Sequence, residues 1–156
     1  MIHNIAHRGA SAYEPENTLR AFERAITMGA TMLELDVYLS GDDHVVVSHD
    51  ADLSRVAGEP ARIQAMTLAE IKQVDVGQGE HIPTLEEVID HVRGRAELYI
   101  ELNGQRTPEP VMRTLHALAF TDSAIVGSFF PWLPQKATFL APTLRELLPD
   151  PARLAD

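Results

Sequence analysis

Thr31-Met32-Leu33-Glu34-Leu35-Asp36-Val37-Tyr38 reads as a β-strand in which Leu33, Leu35 and Val37 point one way and Glu34 and Asp36 the other. The two carboxylates then face the inner side of a sheet, among aliphatic neighbours that favour burial. Unpaired, they would take up protons or cost several kcal/mol, whereas a divalent cation relieves both desolvation and like-charge repulsion. Oxygen-only ligands favour a hard ion such as Mg²⁺ or Ca²⁺. The alternative is a strand with one wet face, on which Glu34 and Asp36 only contact water.

Outward from this strand, short apolar runs alternate with segments of helical period, the pattern of βα units on a parallel sheet. Ile5 to Arg8 reads as the first strand. Asn17 or Thr18 can cap a helix carrying Leu19, Phe22 and Ile26, with Gly29 as C-cap. Val45 to Ser48 reads as a third strand. Thr67-Leu68-Ala69-Glu70 and Thr84-Leu85-Glu86-Glu87 have the form of capping boxes and start two helices. Glu97 to Asn103 reads as a fourth strand, Thr107-Pro108 as N-cap and N1 of a helix, and Ala124 to Ser128 as a fifth strand.

This spacing matches a parallel β/α barrel of the TIM type, which needs eight strands and about 250 residues. The expectation is therefore an α/β fold, an incomplete barrel of about five strands over residues 1–128. Half of the ten prolines fall after residue 128. Residues 129–156 accordingly read as a proline-rich irregular tail with only a short helix around Thr143 to Leu148. Trp132 in that tail is expected to pack over an exposed sheet end.

The chain has 156 residues, 45% hydrophobic and 23% charged, a composition of folded globular proteins. Its 23 acidic against 13 basic residues give a net charge of −10, which repels a long polyanion and argues against nucleic acid as partner. A small phosphate ester is not excluded, because a bound cation reverses the local field. The absence of cysteine removes disulfides, thiolate metal sites and cysteine nucleophiles. Met1-Ile2-His3-Asn4 runs straight into a strand without basic or apolar leader regions, so a cytoplasmic location is expected. No apolar stretch approaches the roughly 18 residues of a membrane span.

Glu101, in Leu98-Tyr99-Ile100-Glu101-Leu102, is a third carboxylate in an apolar strand. His7 ends the first strand and His49 the third, so a parallel sheet would bring both to the C-terminal rim beside the carboxylates. Two histidines there can divide the roles of base and acid. Arg8 offers a planar fork suited to a phosphate oxygen, or a surface ion pair. His3, His44, His81, His91 and His116 fall in no such pattern and read as surface or core residues.

His7-Arg8-Gly9, Pro15-Glu16-Asn17-Thr18, Glu34-Leu35-Asp36-Val37, His49-Asp50 and Ile100-Glu101-Leu102 together, in this order, resemble the glycerophosphodiester phosphodiesterase family over residues 3–128. The resemblance implies a β/α barrel with Glu34, Asp36 and Glu101 as metal ligands, His7 and His49 as acid-base residues, and Arg8 on the phosphate. It implies metal-dependent hydrolysis of glycerophosphodiesters to glycerol 3-phosphate and an alcohol. Two departures stand out. Asn103 occupies the place of a family lysine, and the family's aromatic-rich motif near the barrel's end has no counterpart after Ser128-Phe129. Two other readings remain open: a related barrel phosphodiesterase acting on phospholipid head groups, and a truncated, inactive family member (gene fragment or metal- or ligand-binding remnant) that self-associates through open sheet edges.

Overall fold

A computed structural model describes residues 4–128 and the backbone of residues 145–147. Its centre is a parallel sheet of β1 (Ile5–His7), β2 (Met32–Leu39), β4 (Glu97–Leu102), β5 (Ala124–Gly127) and β6 (Arg145–Leu147), in that spatial order. The remaining strand, β3 (Val45–Val47), pairs antiparallel with the far end of β2, Val37 opposite Val47. The main helices are α1 (Leu19–Thr27), α4 (Leu85–Val92) and α5 (Pro108–Ala117), with one-turn helices α2 (Ser54–Ala57) and α3 (Leu68–Ile71) between β3 and α4.

Register explains the layers. His7 pairs with Glu34, Glu34 with Tyr99, Asp36 with Glu101, and Glu101 with Gly127, so these residues share one face. The intervening Leu33, Leu35, Val37, Leu98, Ile100, Leu102, Ala124 and Val126 form the other face and are fully buried. They join Phe22 of α1, Val88, Ile89 and Val92 of α4, and Val111, Met112 and Leu115 of α5 in one core. Each fully buried side chain of this size contributes about 1.5–3 kcal/mol. Helices thus coat the outer face, and the inner face is left for the carboxylates.

The helix starts follow from local chemistry. Thr18 caps α1 by accepting from Ala21 N–H, and Thr84 and Thr67 form full capping boxes with Glu87 and Glu70. Thr107 precedes α5 without a side-chain cap and donates instead to the Gly104 carbonyl at 2.8 Å. Gly9, at φ +77°, lets the loop after β1 lie against α1; a Cβ there would sit 2.8 Å from the Ala21 backbone.

Two sequence expectations are corrected. The third strand is not a rung of the parallel sheet: β3 turns back along β2 and opens an excursion reaching to α4. That excursion has a small core of its own, Val46, Leu53, Ile63, Ile71, Val74 and Ile82. Three consecutive valines suit either strand direction, and the short Gly41-Asp42-Asp43 turn, too short for a crossover, selects the antiparallel one. The short helix expected around Thr143 to Leu148 is also replaced: Arg145–Leu147 is a strand pairing parallel with β5, Ile125 opposite Arg145. Backbone pairing with β5 supplies the hydrogen bonds that a short helix between prolines could not supply for itself. His3, Trp132 and the tail apart from residues 145–147 lie outside the described residues.

Candidate active site

The inner face of β2 and β4 gathers the three acidic side chains. Carboxylate oxygens of Glu34, Asp36 and Glu101 lie within 4.8 Å of one another. Glu34 is 6% and Asp36 2% exposed, and Glu101 is half-buried. Burial, reinforced by the neighbouring Asp36 charge, pushes the Glu34 carboxyl up to about 7. Burial and Asp36 also push Glu101 upward. Three oxygen donors under this stress fit a hard divalent cation, whose charge would relieve both causes.

Asp36 is held from three sides. Asn17 Nδ2 donates to one of its oxygens at 3.2 Å, Asn103 Nδ2 to the other at 3.3 Å, and Arg8 Nε lies 3.6 Å away. Asn103 therefore acts here as a neutral donor to a carboxylate. Asn17 is 4% exposed and adopts φ +57°, which turns its side chain inward; its Oδ1 is buried without a hydrogen-bond partner among the described residues.

Arg8 follows β1 at φ +57°, and its backbone N–H donates to Glu34, to the side-chain Oε2 at 2.9 Å and the carbonyl at 3.1 Å. Its guanidinium donates through Nη1 to Glu16 at 3.2 Å, leaving further donors of the fork for an anion. The expected histidines sit at the same level. His7 Nε2 is 3.8 Å from Glu34, with the ring mostly exposed. His49 arrives two residues past β3, just after Ser48 N–H donates to the Asp36 carbonyl, and it stands close enough for an imidazolium there to favour the ionised form of Glu101. The antiparallel β3 thus still delivers His49 to the rim, by a different route from the one the sequence suggested.

A row of ion pairs, unread in the sequence, runs behind His49. His49 Nδ1 lies 2.7 Å from Asp50 Oδ1, and Arg55 of α2 donates through Nε to Asp50 Oδ2 at 2.6 Å. Its Nη1 and Nη2 grip Glu16 at 3.0 and 2.7 Å. The Arg55 hydrogen bond holds the Glu16 carboxyl below its usual range. At Asp50 burial acts upward, but hydrogen bonds from Arg55 and His49 outweigh it and lower the carboxyl. Arg55 and Glu16 are 39 positions apart, so no local pattern signals the contact. By contrast, Glu16 and Asn17 lie within the Pro15-Glu16-Asn17-Thr18 motif, where the sequence displays a helix cap but not the contacts to Arg55 and Asp36.

The family model of the Glycerophosphoryl diester phosphodiesterase family matches residues 7–140. The chain is 35% identical over 154 residues to a glycerophosphodiester phosphodiesterase of Caldanaerobacter subterraneus, covering 90% of this chain and 63% of that one. It is 36% identical over 121 residues to a glycerophosphodiester phosphodiesterase of Bacillus subtilis, covering 68% and 41%. The chain thus spans less than two thirds of the length of these curated relatives. Among solved structures, a glycerophosphodiester phosphodiesterase from Agrobacterium tumefaciens superposes with TM-score 0.88 at 33% identity, covering 94% of this chain and 66% of that one. An Oleispira antarctica phosphodiesterase in complex with the product sn-glycerol-3-phosphate superposes with TM-score 0.87 at 33% identity, covering 94% and 65%. These neighbours are β/α barrels of the TIM type, and the chain covers part of that barrel.

Proposed function

The chain belongs to the glycerophosphoryl diester phosphodiesterase family, and on that premise we propose that its inner-face cluster hydrolyses glycerophosphodiesters to glycerol 3-phosphate and an alcohol. The observation that carries this reading is the convergence of Glu34, Asp36 and Glu101 within 4.8 Å, beside Arg8, on the rim that also receives His7 and His49. The product named for the Oleispira enzyme supports the same small-molecule substrate class. Among the described residues no helix is long and apolar enough to cross a membrane.

Glu34, Asp36 and Glu101 would hold Mg²⁺ or Ca²⁺, which when bound supplies Lewis-acid polarisation of a phosphoryl oxygen. Arg8 takes a non-bridging phosphate oxygen with the donors not used on Glu16. One histidine removes the proton of the attacking water or hydroxyl as its oxygen bonds to phosphorus. The other gives a proton to the departing alcohol oxygen as its bond to phosphorus breaks. Asn17 and Asn103 keep Asp36 aimed into the cluster.

A specific observation keeps self-association in play. Among the described residues β1 pairs on one side only, with β2. Its flank carries a groove of about 260 Å³ whose lining includes Ala6, Ala10, Met28 and Ala30. Size-exclusion chromatography tests this, a dimer favouring pairing at that edge and a monomer opposing it.

The enzymatic reading is tested by incubating the chain with glycerophosphocholine, with Mg²⁺ or Ca²⁺ and with EDTA. Cation-dependent release of glycerol 3-phosphate is expected. No turnover under any of these conditions would overturn it.

A further inference from the structure

Arg55 touches none of the three metal-candidate carboxylates, is half-exposed, and sits on a one-turn helix of the excursion. Yet it makes three hydrogen bonds of 3.0 Å or less to two carboxylates from different parts of the chain, Asp50 next to His49 and Glu16 in the loop after β1. The guanidinium is planar, so fixing Nη1 and Nη2 on Glu16 also fixes the direction in which Nε meets Asp50. Asp50 in turn presents Oδ1 to His49 Nδ1 at 2.7 Å. An ionised carboxylate only accepts, so this contact places a proton on Nδ1 and leaves Nε2 as the basic nitrogen.

We propose that Arg55 is a positioning residue: by clamping Asp50 to Glu16 it holds His49 in the tautomer and orientation in which Nε2 carries protons for the phosphodiester reaction. This rests on the proposed hydrolysis for its catalytic consequence, but not for its structural one. Without the clamp, Asp50 and Glu16 become two neighbouring anions with no shared cation. Asp50 then turns toward solvent, and His49 samples the other tautomer. A lysine is no substitute, because a single ammonium cannot meet both carboxylates in a fixed plane. Glu16 also accepts from Arg8 Nη1, so the same clamp ties the histidine side of the rim to the phosphate side.

The test uses the full chain with ¹⁵N-labelled histidine imidazoles, the His49 signals being assigned by their loss in His49→Gln. In the unmodified chain, His49 Nδ1 is expected to be proton-bearing and Nε2 bare. In Arg55→Met and in Arg55→Lys that signature should shift toward the opposite tautomer, and Asp50→Ala should give the same shift. Kinetically, Arg55→Met should lower kcat roughly 10- to 100-fold, the range for residues that orient a reacting group, with KM moving less than about threefold. Adding Arg55→Met to Asp50→Ala should lower kcat far less than the two single effects multiplied, since both act on His49 through Asp50. An unchanged His49 signature in Arg55→Met overturns the proposal, whatever happens to activity, and so does full rescue by Arg55→Lys. If the unmodified chain shows no hydrolysis, the functional reading fails, while the nitrogen spectra still decide whether Arg55 sets the His49 tautomer.

Discussion

On one side of β2, Leu33, Leu35 and Val37 are 0% exposed; on the other, Glu34 is 6% and Asp36 2% exposed. Both faces are dry, and they are dry for opposite reasons. The outer face loses contact with water because α1 and α4 cover it, and every methylene it buries stabilises the chain. The inner face buries charge, which costs stability in the absence of a counter-ion and leaves Glu34 protonating up to about 7. One strand with a two-residue period thus separates what holds the protein together from what it does, and substitutions on the two faces should separate the same way.

The largest effect is expected from Asp36→Asn, which keeps the shape of the inner face and removes the charge at its centre. Hydrolysis of glycerophosphocholine should fall roughly 10³-fold or more, about 4 kcal/mol of transition-state stabilisation. Chemical unfolding of the cation-free variant should show no loss of stability. A variant that unfolds more easily would break the comparison, by showing that the carboxylate holds the fold. On the other face, Leu35→Ala should cost about 2–5 kcal/mol of folding stability through its cavity. The surviving folded fraction should keep kcat close to that of the unmodified chain.

The pH dependence comes next. Glu34 binds its proton more tightly folded than unfolded, so its contribution is fully present below about 4.5 and is lost as pH rises through about 7. In EDTA, urea unfolding should show the chain more stable near pH 5 than near pH 8, with about 2–3 kcal/mol of that difference due to Glu34. Glu34→Gln should remove that share, and a saturating divalent cation should oppose it. An identical pH profile in Glu34→Gln would mean that the inner face carries no such stress. The smallest effect concerns the helical layer alone. Thr84→Ala, which removes the capping box of α4, should lower stability by about 1 kcal/mol, without touching cation dependence.

The two faces also differ in how far the sequence reveals them. Alternation in residues 31–38 displays both faces of β2 at once, and the same period in Leu98-Tyr99-Ile100-Glu101-Leu102 places Glu101 on the inner side. The capping boxes at Thr67 and Thr84 mark two helix starts because the signal lies within four residues. Strand direction is different. Val45–Val47 looks the same running up or down, so β3 passes for a rung of the parallel sheet until its pairing with β2 is seen. Arg145–Leu147 owes its strand to β5, a partner twenty residues away, and Pro142 and Pro149 on either side conceal it. At the site, residue types announce the carboxylates and histidines. The partners that orient them, Asn17 and Asn103 on Asp36 and Arg55 behind His49, come together only through tertiary contact.

Buried carboxylates that serve to hold a cation should bind one with a measurable exchange of protons. Calorimetric titration of Mg²⁺ or Ca²⁺ into EDTA-treated, dialysed protein near pH 7 addresses it directly. With the Glu34 carboxyl pushed up to about 7, binding should release protons, visible as a heat that changes with the ionisation enthalpy of the buffer. One site with a buffer-dependent heat is expected in the unmodified chain, and its loss in Asp36→Asn. The same heats in both proteins, or no binding to either, would contradict it.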